Sequence, residues 1–311
     1  MLECRLSLKP LVACFLILGF GLSACGGEEL PKVGQLIAKL QSDNPDQVKR
    51  AAALLGKHGQ RAATAVPALL DAAALDEEEL SKKKAKKKKG KKAKAADKGK
   101  KKNEAKLYDT VVRALSRTGK AGIPELIKGL EHPEQRSSWA AMTALAWIGK
   151  PAVPALTEAL QGENNEVKDL AATSLAAIGK PAAPAIPALV ETARGRFGSA
   201  SGQSVVALGK IGGDAVPALL ELLDDPKMGP RRADVITAIG QVGGAAKSAV
   251  PRLLESLKDP DDKMQLATVR ALGQIGPAAE AAIPSLMRLE KGQTQIAKVA
   301  NKALDQIAPE R

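Results

Sequence analysis

The chain has three cysteines, two histidines and 2% aromatic residues, and each shortage closes a route to function. Cys4 and Cys14 lie inside an N-terminal leader and Cys25 ends it. With Cys4 and Cys14 removed in the leader, a single cysteine is left, so the mature chain offers no disulfide within it and no set of cysteine ligands for zinc. Two isolated histidines, His58 and His132, cannot assemble a metal centre. The scarcity of rings argues against a single globule built around bulky centres, because Ala, Leu and Gly fill a core only as many thin layers of small and branched aliphatic side chains. A phosphate loop is missing too, since no G-x-x-x-x-G-K-[ST] occurs. Lys57, Lys120, Lys150 and Lys180 stand beside glycines that end helices, where a cation is favoured by the helix dipole.

The leader is the first thing the sequence does contain. Arg5 and Lys9 precede the apolar stretch LVACFLILGFGL, residues 11–22, and small residues follow, which is the layout of an export signal. Twelve apolar residues are too few for a helix crossing about 30 Å of hydrocarbon. The run Leu22-Ser23-Ala24-Cys25-Gly26-Gly27 resembles a bacterial lipoprotein signal. That resemblance implies removal of residues 1–24, lipidation of Cys25 on sulfur, a short tether over 25–30, and an exported protein anchored to a membrane of the cell envelope. With Gly26 rather than aspartate after the cysteine, the family's sorting habit implies the outer membrane where there are two.

Charge is concentrated in one place. The net charge is +13, and Lys82 to Lys102 alone holds fourteen lysines against Asp97, so the rest of the chain sums to zero. Like charges repel and bury nothing, so residues 81–103 read as a disordered, solvated insertion rather than a basic folded face. Its first lysines, Lys82, Lys83, Lys84, Lys86, Lys87, Lys88, Lys89, Lys91 and Lys92, are candidates for contact with polyanions. Without arginines or aromatics among them they supply charge but no stacking or bidentate readout. Anionic lipids or envelope polymers are thus expected partners ahead of nucleic acid.

Outside that run the chain repeats. Pro67, Pro124, Pro154, Pro187, Pro217, Pro251 and Pro284 are spaced 57, 30, 33, 30, 34 and 33 residues apart, and subtracting the 23-residue insertion turns 57 into 34. Each follows a β-branched residue, Val66, Ile123, Val153, Ile186, Val216, Val250 or Ile283, which the proline is expected to push into extended geometry at a helix start. Apolar residues follow at the second, third and often sixth positions, as in Leu219, Leu220 and Leu223, predicting a buried helical stripe. A preceding helix is predicted to end at Gly59, Gly119, Gly149, Gly179, Gly212, Gly243 and Gly276 in the left-handed conformation, with Leu55, Leu115, Leu145, Leu175, Leu208, Ile239 or Leu272 four residues earlier. These are αα hairpins in a row.

The recurring proline, glycine and leucine columns resemble the HEAT-repeat family, in particular its short bacterial members first named from phycobilin lyases. The resemblance covers residues 31–80 and 104–311 and implies an all-α solenoid of seven to eight stacked hairpins, with PKVGQLIAKL and KVANKALDQIAPER as atypical ends. It transfers no lyase activity, which does not follow from a fold, and the paired His-Glu motifs of the di-iron HEAT enzymes have no counterpart here. No catalytic residue and no cofactor is implied.

In such solenoids the second helix of each hairpin lines the concave surface. Four residues after the prolines stand Asp71, Lys128, Glu158, Glu191, Glu221, Glu255 and Arg288, so Glu158, Glu191, Glu221 and Glu255 are the candidate partner-binding residues, either an acidic strip or ordinary solvated glutamates. His58 reads as a half-buried helix-end residue, His132 as a solvated turn residue, and of Trp139 and Trp147 one is expected to be packed and the other exposed. The function expected is that of a non-catalytic scaffold or adaptor binding a protein. The alternatives are an enzyme or enzyme subunit with an unrecognised site, and a binder of anionic polymer, membrane surface or nucleic acid through the lysines.

Overall fold

The computed structural model describes residues 30–75, 106–195, 198–291 and 294–310. Cys25, the leader and the lysine run lie outside them. Seven hairpins of a first and a second helix follow one another: α2 (Pro45–His58) with α3 (Val66–Ala74), α4 (Leu107–Arg117) with α5 (Gly119–Gly129), α6 (Gln135–Ile148) with α7 (Val153–Ala159), α8 (Asn165–Ile178) with α9 (Ile186–Ala193), α10 (Ser199–Ile211) with α11 (Val216–Asp224), α12 (Arg232–Val242) with α13 (Val250–Ser256), and α14 (Asp262–Ile275) with α15 (Ile283–Glu290). A single helix, α1 (Val33–Leu40), precedes them and another, α16 (Gln295–Ile307), follows. No strand occurs among the described residues. Each first helix packs on the next along the row, and the buried side chains form one continuous cluster from Leu36 to Ile307.

Between the two helices of a hairpin the chain turns sharply. The seven column glycines all have positive φ, as expected. Their ψ is not that of the left-handed helix, however. Gly149 at φ 75, ψ −137 and Gly276 at φ 71, ψ −143 lie near the first central position of a type II′ turn, a region that glycine alone enters without strain. From there most hairpins run through a short 3₁₀ segment, such as Lys180–Ala185 or Gly276–Ala282, straight into the second helix.

That 3₁₀ lead-in corrects the expectation for the residue before proline. Val66, Val153, Ile186, Val216, Val250 and Ile283 are helical, with φ from −56 to −48 and ψ from −50 to −44. The β-branched residue is the first of its helix and the proline the second, where the missing N–H still has no intrahelical partner to lose. The preference of a pre-proline residue for extended backbone yields because Val66, Val153, Val216 and Val250 are buried at 0 to 3% exposure.

The buried stripe also differs in one position. The second residue after each proline, from Leu69 to Leu286, is fully buried, and Leu130, Leu160, Leu223 and Leu257 at the sixth are buried too. The third is the edge and varies: Leu70 and Val190 are buried, Leu220 is half-buried and Met287 is 49% exposed. At 100° per residue the second and sixth positions lie about 40° apart and the third about 100° away from the second.

The described hairpins before residue 76 and after residue 105 pack directly on each other. α3 packs against α4, α5 and α6. The Ser137 hydroxyl at the start of α6 donates to the Leu70 carbonyl of α3 at 2.6 Å, and His132 Nε2 lies 3.3 Å from Asp71.

Candidate functional site

Glu158 on α7, Glu191 on α9, Glu221 on α11 and Glu255 on α13 are all exposed, each at the same step of a second helix. Their shared position follows from the proline column, whose proline stands second in each of these four helices. Glu191 stands on the lip of an open groove lined by Leu160, Gln161, Lys168, Pro187, Ala188 and Thr192, between the ends of α7, α8 and α9.

The row is not purely acidic, because two arginines are set into it. Arg194, just past α9, reaches Glu191 at 2.9 Å, Asp225 at 2.8 Å and Glu221, and so ties two successive second helices together. Hydrogen bonds to Glu221, Asp225 and Glu191 raise the Arg194 pKa further above its ordinary value, fixing the guanidinium as a cation. The Asp225 pKa is lowered, first by the backbone N–H of Lys227 and then by Arg194, against the effect of burial. What Asp225 contributes to stability is therefore present above the ordinary carboxyl range and is lost as pH falls through its depressed pKa. Arg252 on α13 binds Asp224 at 2.7 Å and approaches Glu255 at 3.8 Å. Glu158 has no ion pair among the described residues. The strip is thus a ladder of alternating charge with one open carboxylate.

The two histidines have structural partners. His58 Nε2 lies 2.9 Å from the Pro31 carbonyl and joins the end of α2 to the lead-in of α1. His132 departs from the solvated reading: its Nδ1 accepts the Glu134 N–H at 3.1 Å and its Nε2 faces Asp71 across the stack. Among the described residues no group of three or more His, Cys, Asp or Glu side chains comes together as a metal site, and no helix is long and apolar enough to cross a membrane.

Trp139 and Trp147 overturn the expectation that one is packed: they are 46% and 57% exposed. The apolar count around them gave no warning, because Ala140, Ala144 and Leu145 of the same helix face the core and leave both rings on the opposite side.

A sequence model of HEAT repeats matches residues 100–175, 123–198, 153–240 and 230–305, which hold six of the seven hairpins, from α4 to α15. The chain belongs to the HEAT-repeat family. No curated protein matches it. Among solved structures this HEAT-repeat chain is similar to Kap121p bound to Nup53p, at 15% identity and a TM-score of 0.50 over 89% of this chain and 33% of that one. It is likewise similar to the karyopherin Kap121p bound to the extreme C-terminus of the protein phosphatase Cdc14p, at 16% identity, a TM-score of 0.50 and the same coverage. A designed armadillo repeat protein matches at 19% identity and a TM-score of 0.37, over 60% of this chain and 99% of that one. The chain spans about a third of the karyopherin's length, and the likeness is one of fold.

Proposed function

We propose that this HEAT-repeat protein is an envelope-anchored scaffold or adaptor that binds a protein partner along its second helices and is not itself a catalyst. The observation that carries the reading is the placement of Glu158, Glu191, Glu221 and Glu255 at one repeated, exposed step, with Glu191 at the lip of an open groove. A stack of this kind offers a line of weak contacts at hairpin spacing, which suits an extended polypeptide. The similar karyopherin is bound to Nup53p in one structure and to the extreme C-terminus of Cdc14p in another, and we extend the class of partner, a polypeptide, to this chain. Replacing all four glutamates by lysine should abolish capture of the partner cross-linked in its native envelope while circular dichroism stays unchanged. Unchanged capture would remove the second-helix row from the site.

The anchor rests on Cys25 and the leader before it. Acyl chains hold a protein at a membrane by about 0.8 kcal/mol per buried methylene, and more than one chain makes the attachment stable. Cys25→Ser should release the protein from the membrane fraction or leave it unprocessed. Wild-type protein found soluble in the cytoplasm with its leader intact would end this part of the proposal.

The confinement of the whole net charge to one run favours a second, additional role, an electrostatic tether to anionic lipid or polymer. Deleting Ser81 to Asn103 should abolish retention on anionic vesicles at low salt. Equal retention of the two proteins would sink the tether.

A further inference from the structure

The outward stripe of the first helices differs sharply from hairpin to hairpin. Relative to each column glycine it comprises the residues 13, 10, 6 and 2 positions earlier, which stand one helical turn apart on one face. On α8 these are Glu166, Asp169, Thr173 and Ala177, and on α10 Ser199, Gly202, Val206 and Lys210. On α6 they are Arg136, Trp139, Thr143 and Trp147, and on α4, with the residue just before it, Lys106, Asp109, Arg113 and Arg117. At these steps the other hairpins carry small, polar or aliphatic residues, such as Ala53, Thr237 and Leu266, and no aromatic, so the fold does not require tryptophan there.

The rings are held in a built surface. The Tyr108 hydroxyl bonds to Thr143, which sits between the two tryptophans, and the Thr143 hydroxyl donates to the Trp139 carbonyl at 2.8 Å. The Arg136 guanidinium lies over the Tyr108 ring at 5.7 Å from its centroid, a cation–π contact. Every described Trp and Tyr of the chain is in this cluster. Around it, Lys106, Arg113, Arg117 and Arg136 are exposed and form no ion pair among the described residues, with Asp109 the one acid in the two stripes. Trp, Tyr and Arg are the residue types that dominate binding at protein interfaces, and here two exposed tryptophans and exposed arginines surround a half-buried tyrosine; large exposed apolar patches rimmed by polar groups mark interaction sites.

We propose that the outer face of α4 and α6, anchored by Trp139 and Trp147 and rimmed by Arg113, Arg117 and Arg136, docks an acidic polypeptide segment with apolar anchor side chains. The unpaired positive charge selects acidic partners. The tryptophans lie about 12 Å apart along the helix, a span that about four extended residues cover. This face is separate from the second-helix row and does not depend on it.

The test selects binders from a random library of about twelve-residue peptides displayed on phage, using the mature full-length chain. Selected peptides should be rich in Asp and Glu flanking aromatic or branched apolar residues. Synthetic copies should shift the intrinsic tryptophan emission to the blue, a report confined to this face because the chain has two tryptophans. Trp139→Ala or Trp147→Ala should weaken binding about tenfold or more, with Trp147→Phe retaining most of it. Arg113→Glu with Arg117→Glu should weaken it most at low salt. Selected peptides that are basic or neutral, or that bind the alanine variants equally, would overturn the proposal. So would a tenfold gain in peptide affinity on deleting residues 76–103, which would assign the face to the chain's own Asp76-Glu77-Glu78-Glu79 stretch. Self-association that Trp147→Ala abolishes would assign it to a second copy and overturn it as well.

Discussion

Asp169 shows how a single residue can sit against the interests of the fold. It lies on the outward stripe of α8, yet its Oδ1 is buried and has no hydrogen-bond partner. Burial raises its pKa from the ordinary 3.8, and a hydrogen bond with Ser199 opposes the shift only in part. A carboxyl with a raised folded pKa binds its proton more tightly in the native state, so its ionisation costs stability above that pKa and the cost disappears as pH falls through it. Asp169→Asn, which removes the charge while keeping the shape, is therefore expected to stabilise the protein modestly at pH 7. Urea unfolding should show that advantage shrinking as pH is lowered towards 4. Arg194 is the opposite case, a charge whose three carboxylate partners come from two successive second helices.

At the scale of the element, the second helices show what a seven- to nine-residue helix needs in order to hold. It is too short to persist alone, so it relies on a fixed start and a narrow apolar edge. In α11 the start is Val216-Pro217 and the edge is Leu219, Leu222 and Leu223, all fully buried. Leu219→Ala should cost about 2 to 5 kcal/mol, as for other buried leucines. Leu220→Ala, at the half-buried third position, should cost less than half as much by the same urea measurement. First helices meet at small residues instead. A Cβ at Gly240 would come within 2.7 Å of the Ala271 Cα on α14, so glycine there is what permits the approach of α12 to α14.

The whole molecule is a one-dimensional stack whose stability is a sum over neighbours, and that makes it tolerant of an insertion between hairpins. The contacts of α3 with α4, α5 and α6, and the bonds of Ser137 and His132 back to α3, close the stack without residues 76–105. Shortening that connection by the 23 residues from Ser81 to Asn103 should leave helicity unchanged and stabilise the fold by about 1 kcal/mol, the loop-closure entropy saved. A fall in melting temperature would show that the run packs against the hairpins.

The fold was legible from the chain because a repeat states its rules several times. Glycine at every hairpin turn, a β-branched residue and proline at the start of six of the seven second helices, with Pro124 inside α5, and a leucine or isoleucine four residues before each glycine are local demands of backbone conformation and of burial, and they leave nearly the same mark in each hairpin. The sequence therefore determined the hairpin fold, bounded the hairpin number at seven to eight, and set the register of the glutamate row. Tertiary structure alone decided what depends on contacts between hairpins. It turned the glutamate row into a charge ladder by bringing Arg194 to Glu221 and Asp225. It bound His132 to Asp71, sixty-one residues away, and set both tryptophans on an open face beside Tyr108. Side chains far apart in sequence meet there only because the helices stack. Nothing in the local pattern of a hairpin encodes which neighbour will face it.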